Sequence, residues 1–141
     1  MADCIFCSIV AGAVPASFVH RDEAVCAFLD IRPVNQGHLL VVPNLHATGL
    51  ADLSPATGAR MFETAQRLAA AVRASGLTCE GVNLLLADGA VAGQEVFHVH
   101  LHVLPRFDGD GFGFRFPAGY GTVPPRADLD RVAEVIRSHL A

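Results

Sequence analysis

Three histidines recur at every second position in one short segment: His98, His100 and His102. Because side chains alternate between the two faces of a β-strand, a strand here places all three imidazoles on one face, about 6.5–7 Å apart. Each imidazole carries two ring nitrogens that need partners, so three in a row are poorly suited to packing alone. The spacing therefore favours a catalytic or metal-binding role for this segment.

Periodicity alone leaves three interpretations of these histidines open. The first is a polar sheet face without any chemical role. The second is a catalytic zinc site, because a strand with histidines two residues apart can bind zinc together with a ligand from elsewhere. The third is nucleophilic catalysis, since a neutral imidazole attacks phosphorus near pH 7 without prior deprotonation and the resulting phosphoramidate hydrolyses readily.

A second candidate site is the pair Cys4 and Cys7, which has the spacing of half a zinc motif. Nothing in the chain suggests an oxidising compartment, so its four cysteines are expected to be thiols or metal ligands rather than disulfides. A thioredoxin-like role would require a preceding βαβ strand, which this region does not supply. A buried pair of small apolar side chains is the remaining alternative.

The elements that must position these residues are short strands and helices. Apolar runs between turn signals predict strands at residues 18–21, 25–29, 38–43, 82–86 and 97–104. A short helix or turn is predicted at residues 4–11, and a C-terminal helix from about Asp128. These elements predict one α+β domain over residues 1–141, built on an antiparallel sheet.

The clearest predicted element is a long helix that begins after Ser54, a good N-cap, and stops before Gly76. Its predicted buried face consists of Phe62, Ala65, Leu68, Ala69 and Val72. Residues 107–141 follow the histidine segment. We expect them to form a glycine-rich loop, which is a candidate lid, and a helix that packs on the domain.

The composition sets limits on the partners of the protein. Of 141 residues, 52% are hydrophobic, and the formal net charge is −4, which gives no electrostatic basis for binding a nucleic acid polymer. No stretch approaches the ~18 apolar residues of a membrane span. The beginning of the sequence shows no export signal, so the expectation is a cytoplasmic protein without membrane attachment.

The segment from His98 to Leu104 resembles the His-φ-His-φ-His-φ-φ signature of the histidine triad (HIT) family, in which φ is apolar. Further segments resemble the family's Hint branch and occur in the same order. These are Cys4–Cys7, Phe28–Pro33, Gly37–Pro43 with His46 after it, and Gly93–Gln94. The resemblance covers about residues 3–106 and is far more specific than a triple-histidine run alone.

This resemblance implies a fold and an activity. Members have a five-stranded antiparallel sheet per subunit, form homodimers that join two sheets, and bind purine nucleotides. The implied reaction is cleavage of purine nucleoside phosphoramidates or related nucleoside monophosphate conjugates through a covalent nucleotidyl-histidine intermediate. A dinucleoside polyphosphate hydrolase of the same family and a nucleotide-binding regulatory module with incidental hydrolysis are the alternatives.

The resemblance also implies roles for individual residues. His100 would be the nucleophile, His102 would stabilise charge on a phosphate oxygen, and His98 would orient the nucleophile or bind metal. Asp30 would accept hydrogen bonds from ribose hydroxyls, although on residue type alone it also suits a turn. Gln94 would contact phosphate. The base pocket would be formed by apolar residues that are as compatible with plain core, namely Ile5, Phe6, Ile9, Phe28 and Ile31.

Prokaryotic members with this pattern hold structural zinc in a Cys2His2 site, which implies Cys4, Cys7, His46 and His98 as ligands here. The sequence also departs from many eukaryotic members, with Ala87 in place of an asparagine and Glu95 in place of a serine. Glu95 is a hypothetical proton donor to an amine leaving group, or else a solvated surface residue.

Overall fold

The computed structural model describes residues 3–141, so the first two residues of the predicted domain lie outside the described part. Its centre is a five-stranded antiparallel sheet with the order β1-β2-β3-β5-β4. The strands are β1 (Phe18–Arg21), β2 (Val25–Leu29), β3 (Leu39–Pro43), β4 (Gly81–Leu86) and β5 (Leu101–Arg106). The predicted antiparallel α+β architecture is confirmed.

A helix covers each face of the sheet. The short helix α1 (Ile5–Val10) packs over β2 and β3 on one face, where Phe6 and Ile9 meet Phe28 and Leu40. The long helix α2 (Pro55–Ala74) packs on the other face, against β2, β3 and β5. The site described below lies on the α1 face.

Ser54 caps α2 as predicted, because its side chain accepts a hydrogen bond from the amide of Thr57 at 3.1 Å. The predicted buried face is wrong at Phe62, which is 53% exposed, whereas Met61 is 2% exposed. Met61 lies four residues before Ala65 and completes the buried stripe, and Phe62 is turned about 100° away from it around the helix axis.

The histidine segment is a strand over only part of its predicted length. The prediction of residues 97–104 is wrong at the start, because β5 begins at Leu101, where its pairing with Val41 of β3 ends. Upstream of that point the chain leaves the sheet, and the amide of Val99 donates to the carbonyl of Ala47 at 2.8 Å. Alternation nevertheless persists, since Val99, Leu101 and Val103 all join the core beneath α2.

The C-terminal helix α3 (Arg126–Ser138) begins two residues before its predicted start. The prediction that it packs on the domain is wrong, because every residue from 111 to 141 is exposed in the chain. None of these residues lines the cavity beside α1, so the segment does not cover the cavity of its own domain in this structure. Among the described residues, no helix has the length and apolar character to cross a membrane.

Candidate active site

A cavity of about 570 Å³ opens on the α1 face of the sheet, next to the histidine segment. Its size falls in the range of small-molecule sites. Its walls bring together all five predicted base-pocket residues with Asp30, His100 and His102. Neither His98 nor Gln94 belongs to its lining, which otherwise includes Val14, Pro15, Ala16, Leu29, Arg32, Leu40, Gly93, Glu95 and Val96.

The ring of His100 is held by its own chain. Its Nδ1 lies 2.8 Å from the carbonyl oxygen of His98, and because a carbonyl can only accept, Nδ1 carries the proton. The ring is 7% exposed and packs edge-on against Phe6, with centroids 5.2 Å apart. Nε2 has no hydrogen-bond partner within residues 3–141, so its lone pair is free on a ring that lines the cavity.

The protonation of His102 is set by a chain of hydrogen bonds that starts at the main chain. The amide of Val34 donates to Nδ1 of His38 at 3.1 Å, so the proton of a neutral His38 is on Nε2. That Nε2 donates to Nδ1 of His102 at 2.8 Å. His102 therefore carries its proton on Nε2 and has a donor to offer on the cavity side.

Burial keeps these rings neutral. Loss of hydration is the main cause that lowers the pKa of His38 and of His98. The same cause, with smaller contributions from His100 and His38, lowers the pKa of His102 to about 4. A neutral imidazole with one defined N–H is what the hydrogen-bond chain requires, so the geometry and the electrostatics agree.

Asp30 occupies both of the roles considered for it in the sequence. Its Oδ1 accepts from the amide of Arg32 at 2.8 Å, which makes it a turn residue. Its carboxylate also lines the cavity, and Oδ2 lies 3.7 Å from Nε2 of His38, too far for a hydrogen bond. The turn thus presents one carboxylate oxygen for a ligand.

Gln94 is engaged with the protein itself. Its Oε1 accepts from the amide of Gly89 at 2.8 Å, and its Nε2 donates to the carbonyl oxygens of Thr48 at 2.7 Å and Val96 at 3.2 Å. The residue is 5% exposed. Its side chain therefore braces the loop before the histidine segment, and the neighbouring Gly93, at φ 97°, lies at the cavity wall.

Glu95 lies at the mouth of the cavity, where it pairs with Arg32 at 3.2 Å. Both side chains are largely exposed, at 77% and 82%, so the pair contributes little to stability. The pairing places a cation next to the carboxylate and reduces its repulsion of a phosphate group.

The two cysteines and two histidines predicted as metal ligands do converge. One ligand atom from each of Cys4, Cys7, His46 and His98 lies within 4.8 Å of all the others. Sγ of Cys4 is 3.4 Å from Nδ1 of His98, and Sγ of Cys7 is 3.3 Å from Nδ1 of His46. Tetrahedral zinc with sulfur and nitrogen ligands needs adjacent donors about 3.5 Å apart, so the set fits a closed site.

The tautomer of His98 supports the same assignment. Its Nε2 lies 2.9 Å from the carbonyl oxygen of Pro43, which can only accept, so Nε2 carries the proton and Nδ1 is free to bind a metal. Its ring is fully buried. His98 thus directs its side chain to the cysteines and its carbonyl oxygen to His100.

Sequence reasoning missed His38. It is 4% exposed and contacts His102, whereas its position as the first residue of a predicted strand suggested only a strand end. The available signal was its place in the Gly37–Pro43 segment, which is one of the segments that carry the resemblance. Antiparallel pairing of Leu40 with His102 brings the two histidines to the same end of the sheet.

Comparison with known protein sequences points to a single family. The sequence profile described as the HIT domain matches residues 11–109. The protein named "Protein hit" from Bacillus subtilis is 38% identical, and the match covers 99% of this chain and 95% of that protein. "Adenylylsulfatase HINT3" from Arabidopsis thaliana is 37% identical over 77% of this chain and 54% of its own length.

Two solved structures can be aligned with nearly the whole chain. A HIT family protein from Bacillus anthracis superposes with a TM-score of 0.90 at 36% identity, covering 99% of this chain and 98% of the other. A Zn-bound histidine triad family protein from Mycobacterium smegmatis superposes with a TM-score of 0.76 at 40% identity, covering 98% and 99%.

Proposed function

This chain belongs to the HIT family, and on that premise we propose that it cleaves purine nucleoside phosphoramidates or related nucleoside monophosphate conjugates through a covalent nucleotidyl intermediate on His100. One observation carries the proposal. The ring of His100 has its Nδ1 proton engaged by a carbonyl oxygen and its Nε2 lone pair unoccupied, on the wall of a cavity large enough for a nucleoside.

In the first step, Nε2 of His100 attacks the α-phosphorus, a P–N bond forms, and the bond from phosphorus to the leaving group breaks. An amine leaving group takes its proton from solvent. His102 donates a hydrogen bond from Nε2 to a non-bridging phosphate oxygen, where charge grows in the transition state. In the second step, water attacks phosphorus and loses a proton to solvent, the P–Nε2 bond breaks, and the nucleoside monophosphate leaves.

The cavity walls support a nucleoside as the bound part of the substrate. Phe6, Phe28 and Ile31 offer apolar surface for a base, and Asp30 offers an acceptor oxygen for the ribose hydroxyls. Gln94 acts in this proposal by shaping the loop beside the phosphate rather than by touching it.

A nucleotidyl sulfate is a second candidate substrate, favoured by one feature of the site. Sulfate leaves without a proton, whereas an amine needs one, and the pKa of about 4 makes His102 a hydrogen-bond donor rather than a charged acid near pH 7. A relative is named as an adenylylsulfatase. Comparing kcat/KM for adenosine phosphoramidate, adenylyl sulfate and diadenosine polyphosphates ranks these leaving groups.

We also propose that Cys4, Cys7, His46 and His98 hold a structural zinc ion, and that the protein is a homodimer. The donor distances and the tautomer of His98 support the zinc. Zinc in this site would supply a crosslink between the start of α1 and the histidine segment. The open outer edge of β4, which pairs only with β5 among the described strands, supports association of two sheets.

The deciding experiment traps the intermediate. The protein is incubated with a nucleoside phosphoramidate labelled on phosphorus, quenched, and digested to locate the label. We expect acid-labile label on His100 in the wild type and in the control His139→Gly, which changes an exposed histidine. Label that persists in His100→Gly, or its absence from a wild type that turns over, would contradict the proposal.

A further inference from the structure

We propose that Asn35 is a positioning residue, whose side-chain amide fixes the loop that orients His38 and, through it, His102. The loop consists of residues 31–37. Asn35 does not line the cavity, so it acts only through other residues. Its effect on rate rests on the proposed function, whereas its effect on the ring tautomers does not, and the two are measured separately.

Strand β5 extends beyond its pairing with β3. Leu39, the first residue of β3, pairs with Val103, whereas β4 continues beside β5 as far as Arg106. On the β4 side, the amide of Glu80 donates to the carbonyl oxygen of Arg106 at 2.7 Å. Because successive carbonyl groups of a strand point to opposite sides, that of Pro105 faces the side on which β3 has not yet begun. A main-chain acceptor in this position needs a donor from elsewhere.

Asn35 supplies that donor. Its Nδ2 lies 2.8 Å from the carbonyl oxygen of Pro105 and 2.8 Å from Oδ2 of Asp110, whose side chain is 3% exposed. Asp110 is ionised, because hydrogen bonds from Arg106 hold its pKa well below its usual range. Both oxygens can therefore only accept, so the group that faces them is the NH2 of the amide, with both of its protons in use.

The rest of the loop is open to solvent. Five of its seven residues, 31–34 and 36, are exposed. Its pair between Arg32 and Glu95 is also exposed, and pairs of that kind contribute little to stability. The two hydrogen bonds from Asn35 therefore tie an otherwise exposed loop to the end of β5.

This anchor lies next to the group that fixes the tautomer of His38. The amide of Val34 donates to Nδ1 of His38 at 3.1 Å, and the carbonyl oxygen of Asn35 accepts from the amide of His38 at 3.1 Å. If the loop shifts and the Val34 donor is lost, Nδ1 of His38 is able to carry the proton instead of Nε2. His102 then no longer receives a hydrogen bond at Nδ1, and its own proton is no longer fixed on Nε2.

The first test is a double-mutant cycle with adenosine phosphoramidate as the substrate. Asn35→Ala should lower kcat by about 10-fold with KM within about 3-fold, because an outer hydrogen-bond partner of the site is lost. In a His38→Ala background, the same change should lower kcat by less than about 2-fold, since the ring that Val34 orients is already gone.

The matched control is Gln36→Ala, which shortens the exposed side chain next to Asn35 and should leave kcat within about 2-fold of the wild type. Equal losses from Asn35→Ala with and without His38 would overturn the proposal, because a general loosening of the fold acts in both backgrounds. An unchanged kcat in Asn35→Ala would overturn it as well.

The second test needs no reaction. In protein that carries 15N-labelled histidine, long-range proton–nitrogen correlation spectra report which ring nitrogen is protonated. We expect Nε2–H for His38 and His102 in the wild type and in Gln36→Ala, and a mixture of tautomers in Asn35→Ala. Asn35→Asp keeps the shape of the side chain but turns a carboxylate towards two acceptors, so it should give the same mixture.

Unchanged tautomers in both Asn35 variants would overturn the proposal, whatever the substrate of the protein is. Changed tautomers, in a protein whose wild type turns over no nucleotide conjugate, would contradict the proposed function alone. A variant whose thermal unfolding shows that it is not folded is replaced by Asn35→Ser, which keeps one donor and should give a smaller change in the same direction.

Discussion

Two groups of histidines lie side by side on the α1 face of the sheet, and they differ in what their Nδ1 atoms contact. His98 and His46 turn Nδ1 towards two thiols. His100 instead donates a hydrogen bond from its Nδ1–H to a carbonyl oxygen and keeps Nε2 free. The ring centroids of His46 and His98 are 5.0 Å apart, and those of His100 and His102 are also 5.0 Å apart. The partners of the two ring nitrogens therefore determine which nitrogen of each imidazole has a lone pair to offer.

The largest expected effect is a loss of activity without a loss of zinc, which distinguishes the two groups of histidines. His100→Gly should lower kcat/KM by about 10⁴-fold or more, because the atom that forms the covalent bond is removed. Bound zinc, measured by elemental analysis, should not change. A variant that keeps more than a tenth of wild-type activity would show that His100 is not the nucleophile.

Cys7→Ser tests the group in which His46 and His98 face the two cysteines. Removing a thiolate from a closed four-ligand site should abolish stoichiometric zinc and lower Tm by about 10 °C or more. Cys79→Ser, which changes a half-buried thiol outside the cluster, should keep both values. Unchanged zinc content and Tm in Cys7→Ser would remove the basis for calling this group a metal site.

A third prediction concerns His38, which links the ring of His102 to the main-chain amide of Val34. His38→Ala should lower kcat by about 10- to 100-fold with KM within about 2-fold, because His102 loses the partner that fixes its donor nitrogen. His38→Gln retains a group that can accept from Val34 and donate to His102, and should restore part of the loss. Equal losses in both variants would indicate a packing role only.

Stability should fall in acid because of the buried neutral rings. The pKa of His102 is about 4 in the folded chain and near 6.5 when unfolded, so between these values the unfolded state binds more protons. The free energy of unfolding should decrease as pH falls from about 6.5 to 4, on the order of 1 kcal/mol per pH unit for each such ring.

Denaturant unfolding at several pH values measures this dependence. His102→Asn should flatten the slope between pH 4 and 6.5 relative to the wild type. An identical slope in the variant would mean that His102 does not titrate with a lowered pKa.

The smallest effect concerns the cavity mouth. Glu95→Ala should change turnover of a lysine-type nucleoside phosphoramidate by less than about 3-fold, because Glu95 is exposed and paired with Arg32. The measurement is kcat/KM near pH 7. A loss of 10-fold or more would revive Glu95 as the proton donor to the amine.

The sequence predicted what depends on local periodicity. Ser54 caps α2 as expected, and the alternation of the histidine segment survives even where it is not a strand. It did not predict the contact of His38 with His102, because that depends on the register between β3 and β5. The packing of α3 was mispredicted because an amphipathic pattern shows that a face needs cover but not which molecule provides it.

The bonds from Val34 through His38 to His102 all run in one direction, from donor to acceptor towards the cavity. The first donor of this chain of hydrogen bonds is a peptide N–H, which does not release its proton. The chain therefore cannot supply or remove protons during turnover. In the proposed reaction, the proton that the leaving group gains and the proton that the incoming water loses therefore do not pass along these hydrogen bonds. We expect these protons to exchange with water at the mouth of the cavity, which a solvent deuterium isotope effect on kcat would register.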